Sequence, residues 1–399
     1  MDCIDYPIIS TEQDSKFEKI PLDFAKSNKG ISFIKSDEIV ITKVGTPCYA
    51  SIVYDYSELA LSRTVLGLTN IHDVDPYYLM AFLRSNYGFK QLFRQRELTI
   101  QYQLTLPRVK AIKIYLPSRE FQKSIKELCI CYLETNKQAD KTYNQAKNTI
   151  YEYLGNFTDK ELNSCAIKTL SESFTSSGRL DAEYYLPKYD SLFDTLSKFT
   201  TVNLGGENGL VSIKKSIEPG SEAYQDEGIP FVRVSDINQY GIVAPAIKLS
   251  PTIIPDIENL YPCKDTILLS KDGSVGIAYK VQEDMRVVTS GALLHLTVKD
   301  TNQILPNYLT LVLNSQVVQL QAERDCNGAI IQHWKPCDIE KVLIPVLDMD
   351  KQKEISDKVQ ESFRLRKEAK RLLDNAIKAV EMAIETDEET ALIWLGAQL

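Results

Sequence analysis

The hydrophobic pattern of this chain passes through the same series of changes twice. Residues 38–42 and 49–54 are two β-rich apolar runs, and residues 266–270 and 275–281 repeat them. In the later pair Lys271-Asp272-Gly273 separates the runs, and a glycine there suits a turn that needs positive φ, so each pair is predicted to be a β-hairpin. Farther on the period becomes helical. Pro306 stands at a favourable first helical position, followed by Leu309, Leu313, Val317 and Leu320, while Pro76 opens an equivalent helix carrying Leu79 and Leu83. The globular parts are therefore mixed α and β.

The residues repeat along with the pattern. Asp37-Glu38-Ile39-Val40-Ile41-Thr42-Lys43-Val44-Gly45-Thr46 returns without a gap as Asp265-Thr266-Ile267-Leu268-Leu269-Ser270-Lys271-Asp272-Gly273-Ser274. The same offset carries Ser62 onto Ser290, Leu68 onto Leu296 and Thr69 onto Thr297. After a shift of two residues, Pro76, Tyr78, Leu79, Leu83 and Ser85 fall on Pro306, Tyr308, Leu309, Leu313 and Ser315, and Gln122, Lys123 and Ile125 fall on Gln352, Lys353 and Ile355. A period above about 200 residues is too long for a solenoid and means two copies of one domain-plus-helix module.

Each copy ends in a long helix, and the two helices share one heptad register. In the second, Val359, Arg366, Leu373 and Val380 occupy one core position and Ser362, Ala369, Ala376 and Ala383 the other. In the first, Cys129, Asn136, Tyr143 and Ile150 alternate with Tyr132, Ala139, Ala146 and Tyr153. A seam of Ala and Ser accommodates the tyrosines opposite, so the helices are expected to pack on each other, with Asn136 and Arg366 as polar layers that fix register. The other reading is two separate amphipathic helices, each covering its own domain. About thirty residues of helix span on the order of 45 Å. Such a rod would hold two unlike heads at a separation suited to major-groove segments about 34 Å apart, one turn of DNA, or somewhat more.

Composition narrows the class. With 399 residues and 44% of them hydrophobic, the chain can bury two or three cores. No run of eighteen apolar residues exists and Met1 to Asp5 lack a signal-peptide pattern, so no membrane and a cytoplasmic address are expected. Of eight cysteines only Cys129 and Cys131 are close, without a Cys or His cluster beside them, which favours reduced thiols over a zinc site. A net charge of −8 speaks against binding nucleic acid by bulk electrostatics, so a DNA role needs local basic patches or partners. Enzyme signatures are weak. Asp75-Pro76-Tyr77-Tyr78 has some likeness to the catalytic loop of an adenine methyltransferase, but it lacks a second proline and the duplication places it at a helix start. No phosphate-binding glycine loop is present, and His72, His295 and His333 are scattered, so neither catalysis nor a cofactor or metal is expected.

Several phrases resemble one family. Arg179-Leu180-Asp181-Ala182-Glu183-Tyr184-Tyr185 is similar to the opening of a target recognition domain in the specificity subunits of type I restriction-modification systems. Ile229 to Ile237, Asp265 to Gly276, Gly328 to Trp334, Val342 to Val346 and Gln352-Lys353-Glu354-Ile355 follow in family order. The resemblance covers residues 179–385, and more weakly 37–154. It implies an α+β chain with two mixed α/β target recognition domains separated by two long helices packed as an antiparallel coiled coil. The spans expected are 1–118 for the first domain, 119–154 for the first conserved helix, 155–178 for a linker, 179–347 for the second domain, 348–386 for the second helix and 387–399 for a tail. It further implies recognition of a bipartite double-stranded DNA target, with two methyltransferase (M) subunits and restriction (R) subunits as partners. More than eighty residues separate Arg179 from Asp265 but only thirty-six precede Asp37, so the first domain is expected to be shortened.

Candidate contacts follow from what a DNA reader needs, namely cations for phosphates and amides, guanidinia or hydroxyls for base edges. Lys271 and Ser274, with Lys43 and Thr46 in the first copy, sit at predicted hairpin tips, where turn chemistry alone also accounts for them. Gln332, His333 and Trp334 share a predicted loop, matched by Gln101 and Tyr102, although Trp334 equally suits a core. Arg233 lies beside Ser235 and Asp236, where an ion pair competes with DNA contact; Arg94 and Arg96 suit DNA or a solvated surface. Arg364, Arg366, Lys367, Lys370 and Arg371 form a basic run that suits solvent or the DNA between the heads, and the acidic end at Glu385, Asp387, Glu388 and Glu389 suits solvent or a basic partner. The competing function is a non-enzymatic, two-headed protein-interaction scaffold, with which the acidic charge agrees.

Overall fold

The computed structural model describes residues 5–9, 18–44, 48–98, 102–155, 165–243, 245–253, 255–328 and 331–398. They form two compact units. One comprises Met1–Gln138 with Arg364–Leu399, the other Ala139–Phe363.

The second unit is built on a four-stranded antiparallel sheet in the order Val211–Lys215, Leu293–Val298, Ile267–Ser270, Ala278–Lys280. All four residues of Ile267–Ser270 are buried, which is why that stretch reads as an unbroken apolar run. Helices Pro306–Leu313 and Gln316–Asp325 pack against the sheet, and Leu269, Leu294, Leu296, Leu309 and Val317 share one core. A smaller sheet joins Ile229–Val232 to Val288–Thr289 in parallel and to Lys248–Leu249 antiparallel. Strand Thr201–Asn203 pairs with Leu343–Pro345.

The sequence expectation fails in two details. The periodic run from Pro306 to Leu320 is two helices, because the Ser315 hydroxyl donates to the Val312 carbonyl (2.7 Å) and the Asn314 amide turns away to bond Ala278. The hairpin is present, but seven residues, 271–277, connect its strands. Its glycines Gly273 and Gly276 both have positive φ, as a tight loop requires.

In the first unit a three-stranded sheet runs Ala50–Ile52, Ile39–Thr42, Val65–Leu68, and helices Pro76–Arg84 and Asn86–Arg94 pack against it. A second sheet has the order Glu18–Pro21, Asp5–Ile9, Glu58–Leu61, Ser32–Lys35. The duplication is written into the hydrogen bonds. Asp37 and Asp265 both adopt positive φ, and their N–H groups donate to the carbonyls of Val53 and Val281, each at 2.9 Å. Tyr78 donates to the Tyr115 carbonyl at 2.7 Å and Tyr308 to that of Pro345 at 2.8 Å. Gln122 accepts from Asp75 N–H and donates to the Pro117 carbonyl; Gln352 accepts from Leu305 N–H and donates to Leu347. Ser85 and Ser315, both fully buried, break their helix pairs in the same way. Asp75 of the enzyme-like phrase is the N-cap of helix Pro76–Arg84, accepting from Tyr77 N–H at 2.9 Å.

The long helices are Arg119–Leu154 and Met349–Glu385. Within the second unit their partners run in opposite order: Tyr153 donates to Glu354, Lys358 to Thr149, and Ser362 to the Ala139 carbonyl at 2.8 Å. Within the first unit Phe121, Ile125 and Cys129 share a core with Leu373, Ala376, Val380 and Ala383. Of the proposed seam positions on the second helix all are buried except Arg366, which is half-buried, as is Asn136 on the first. Ala376 is fully buried between packed neighbours, so Ala376→Leu is expected to cost about 1–3 kcal/mol by overpacking, measurable as a lower urea midpoint.

The acidic end differs from expectation because its carboxylates are used internally. Asp387 caps helix Glu388–Gly396 through Thr390 N–H (2.7 Å), Glu385 accepts from Tyr87 (2.9 Å), and Glu388 accepts from the Ser118 N–H and hydroxyl at the entry to helix Arg119–Leu154. Ala391 and Leu395 of this terminal helix are buried in the first unit's core. No described helix is long and apolar enough to cross a membrane.

Candidate nucleic-acid interface

In the second unit the loop 271–277 and the hairpin 327–333 are tied into one surface. Lys271 N–H donates to Ala292, and the Lys271 carbonyl accepts from Trp334 N–H at 2.8 Å. Gly273 N–H donates to Gln332, while His333 and Asn327 exchange both backbone hydrogen bonds. Asp272 stands at the centre. One carboxylate oxygen takes the Lys271 ammonium and the other meets His333 Nδ1 at 2.8 Å. The structure therefore brings Lys271, Gln332, His333 and Trp334 together around a carboxylate that sequence reading passed over, although it lies next to Lys271.

Burial sorts these residues. Ser274, Gln332 and His333 are exposed and face solvent. Trp334 is only 1% exposed and fills the main core, so it cannot touch DNA there; the large apolar ring outweighs its indole N–H, which has no hydrogen-bond partner. The Lys271 side chain is 13% exposed and bound to Asp272, so its first role is to hold the loop. Burial alone would raise the Asp272 carboxyl, but hydrogen bonds from Lys271 and His333 outweigh it and hold the group below the ordinary aspartate value. A lowered pKa contributes stability above the unfolded value and loses it as pH falls through the folded one. Stability is expected to fall more steeply in the natural chain than in Asp272→Asn as pH drops below the ordinary aspartate value of 3.8, as read from urea midpoints above and below it.

Arg233 and Asp236 form an ion pair at 3.4 Å, and Asp236 also accepts from the Arg233 N–H and, through its other oxygen, from Ser235. The arginine nevertheless keeps 41% of its side chain exposed. In the first unit Lys43 occupies the place of Lys271: its N–H donates to Thr64, and its carbonyl accepts from Leu104 at 3.1 Å. Leu104 is thus the counterpart of Trp334, and the strand pair Glu97–Leu98 with Tyr102–Gln103 is the counterpart of the Asn327–His333 bridge. Tyr102 therefore answers to Gln332 and Gln103 to His333, one residue away from the matching of Gln101 and Tyr102 drawn from sequence. Thr46, Gln101 and the Tyr102 side chain lie outside the described residues. Arg96 folds back over the Phe93 ring, and Arg94 is exposed on the last turn of helix Asn86–Arg94. In the basic run Arg371 pairs with Glu368, whereas Lys370 is exposed. Among the described residues no group of His, Cys, Asp or Glu is placed to hold a metal, and the cysteines are free thiols.

Residues 197–378 match the family model described as the type I restriction modification DNA specificity domain. No curated protein matches the chain. Similar solved structures include a chain described under the structural basis of complex assembly and conformational transition of the type I R-M system, at 16% identity, covering 87% of this chain and 83% of that one, with TM-score 0.32. The type I restriction-modification S subunit from M. genitalium is 14% identical, with 94% and 87% covered and TM-score 0.38; the HsdS subunit from Thermoanaerobacter tengcongensis is 16% identical, with 86% and 81% covered and TM-score 0.33. The resemblance read in the phrases from Arg179 to Ile355 is borne out: residues 197–378 are similar to the DNA specificity domain of type I restriction-modification systems.

Proposed function

We propose that this chain is the sequence-reading subunit of a type I restriction-modification complex, recognising a two-part double-stranded DNA target and performing no covalent chemistry itself. The observation that carries the reading is the match of residues 197–378 to the specificity domain, joined to a twinned hydrogen-bond framework that presents different surface residues in each unit. In the second unit Ser274, Gln332, His333, Ser235 and the exposed part of Arg233 are the proposed contacts, with Lys43 and Tyr102 in the first. Gln332 and His333 supply the amide and imidazole donors and acceptors that base edges require. The two domains are taken as target recognition domains, and the two long helices as one antiparallel coiled coil that sets the spacer and docks methyltransferase (M) and restriction (R) subunits.

The net charge of −8 favours a second reading, an interaction scaffold. Retention of DNA fragments by the chain with its methyltransferase subunit, measured across a salt series, separates the two. A reader holds one bipartite sequence with an affinity that falls steeply with salt, and a scaffold holds none. Methyl transfer by the chain alone would overturn both.

A further inference from the structure

One contiguous segment of the second unit, residues 179–215, covers three features whose counterparts in the first unit are not covered by any described residue. Strand Val211–Lys215 pairs along the outer edge of Leu293–Val298, placing Ile213 opposite Leu296. In the first unit the corresponding strand Val65–Leu68, in which Leu68 answers to Leu296, is the last of its sheet among the described residues. Strand Thr201–Asn203 sets Val202 opposite Ile344, which is 0% exposed; the counterparts of Ile344 and Val346 are Ile114, 44% exposed, and Leu116, 58% exposed. These pairs are equivalent because Gln91 brackets Lys113 by two hydrogen bonds as Gln321 brackets Leu343. Finally, Tyr184 and Phe193 stack on Arg324, and Lys188 pairs with Glu323. At the matching positions of the first unit Arg94 is exposed and Phe93, 47% exposed, replaces the glutamate, one helical turn from Phe89 at 38%.

We propose that this face of the first unit docks a segment of a second polypeptide built like residues 179–215: an aromatic pair and a helix against Phe89, Phe93 and Arg94, then strands against Ile114 and the edge of Val65–Leu68. A backbone edge beside apolar side chains asks for a strand with alternating apolar residues, not for DNA. The phrase Arg-Leu-Asp-Ala-Glu-Tyr-Tyr occurs once in this sequence, and the second unit uses it. Arg94 is thereby removed from the DNA contacts and given the place between aromatic rings that Arg324 holds. The proposal stands apart from the DNA reading and does not rest on it.

The test replaces Phe93 and, separately, Leu116 with photo-crosslinking p-benzoylphenylalanine in the cell of origin, followed by sequencing of the crosslinked peptides. Both positions are expected to reach one other polypeptide, Phe93 at a stretch with adjacent aromatic residues and Leu116 at the strand that follows. The double variant Phe89→Glu/Leu116→Glu alters exposed positions, so it should keep its melting temperature while recovering that polypeptide at least about tenfold less. Crosslinks to a swapped copy of this chain, to further residues joined to the same polypeptide, to DNA, or to nothing overturn the proposal, as does full recovery with the double variant.

Discussion

Gln352→Leu is expected to destabilise the second unit by about 3–5 kcal/mol, although leucine matches the volume of glutamine closely. Gln352 is 0% exposed, and its amide accepts from Leu305 N–H (3.0 Å) while donating to the carbonyls of Gln303 (3.0 Å) and Leu347 (2.8 Å). It holds the loop before helix Pro306–Leu313 against the start of the second long helix. An apolar side chain of similar size strands three backbone groups out of water, each costing about 1–3 kcal/mol, partly relieved where loops shift. The twin substitution Gln122→Leu strands two groups, Asp75 N–H and the Pro117 carbonyl, and should cost about 2–4 kcal/mol in the first unit. The protein's two tryptophans separate the outcomes: Trp334 is buried in the second unit's core and Trp394 packs against the first's. Urea unfolding followed by each fluorophore, with the other changed to Phe, should show Gln352→Leu moving the Trp334 transition. Unchanged midpoints would sink the bracket as a source of stability.

Gly328→Ala should abolish sequence-selective DNA retention, a loss of about a hundredfold or more if both Gln332 and His333 read base edges, since a good base contact is worth about 1–3 kcal/mol. Gly328 has φ +112°, a conformation open to glycine and strained for any L side chain, and an added Cβ would lie 2.0 Å from the Ile331 carbonyl oxygen. The bridge between Asn327 and His333 must open, and both proposed readers, Gln332 and His333, lie at it. Gly273→Ala is the control. It too has positive φ, but no atom lies within 4 Å of its Cβ, so about 1 kcal/mol of strain and retained binding are expected. Equal retention by the two variants would remove the hairpin from the interface.

The sequence disclosed the parts of this fold that rest on periodicity and repetition. Positions 85 and 315, and 122 and 352, keep their residue type because the side chain bonds main-chain groups that few others can reach, and positions 37 and 265 because both take a positive φ that Asp tolerates better than most residues. The small residues along the second long helix were legible for a similar reason, since a seven-residue spacing leaves one stripe. The break at Ser315 was not, because apolar residues keep helical spacing across it and only the Ser315 hydroxyl and the Asn314 amide mark the turn. Among the candidate contacts, the cost of burying Trp334 depends on a cavity made by residues far away in sequence. Lys271 has the composition of a phosphate ligand, and only the fold reveals that its neighbour Asp272 has captured it.

Besides the Lys271–Asp272 pair, the loops at Lys43 and Lys271 are tied by main-chain atoms, to Thr64 and Leu104 in one unit and to Ala292 and Trp334 in the other. Backbone bonds are indifferent to the side chain above them. Mutation at the solvent-facing tips, such as Ser274 or Gln332, can therefore drift with little thermodynamic penalty, and a lineage can change what the surface recognises without first having to re-evolve a stable protein.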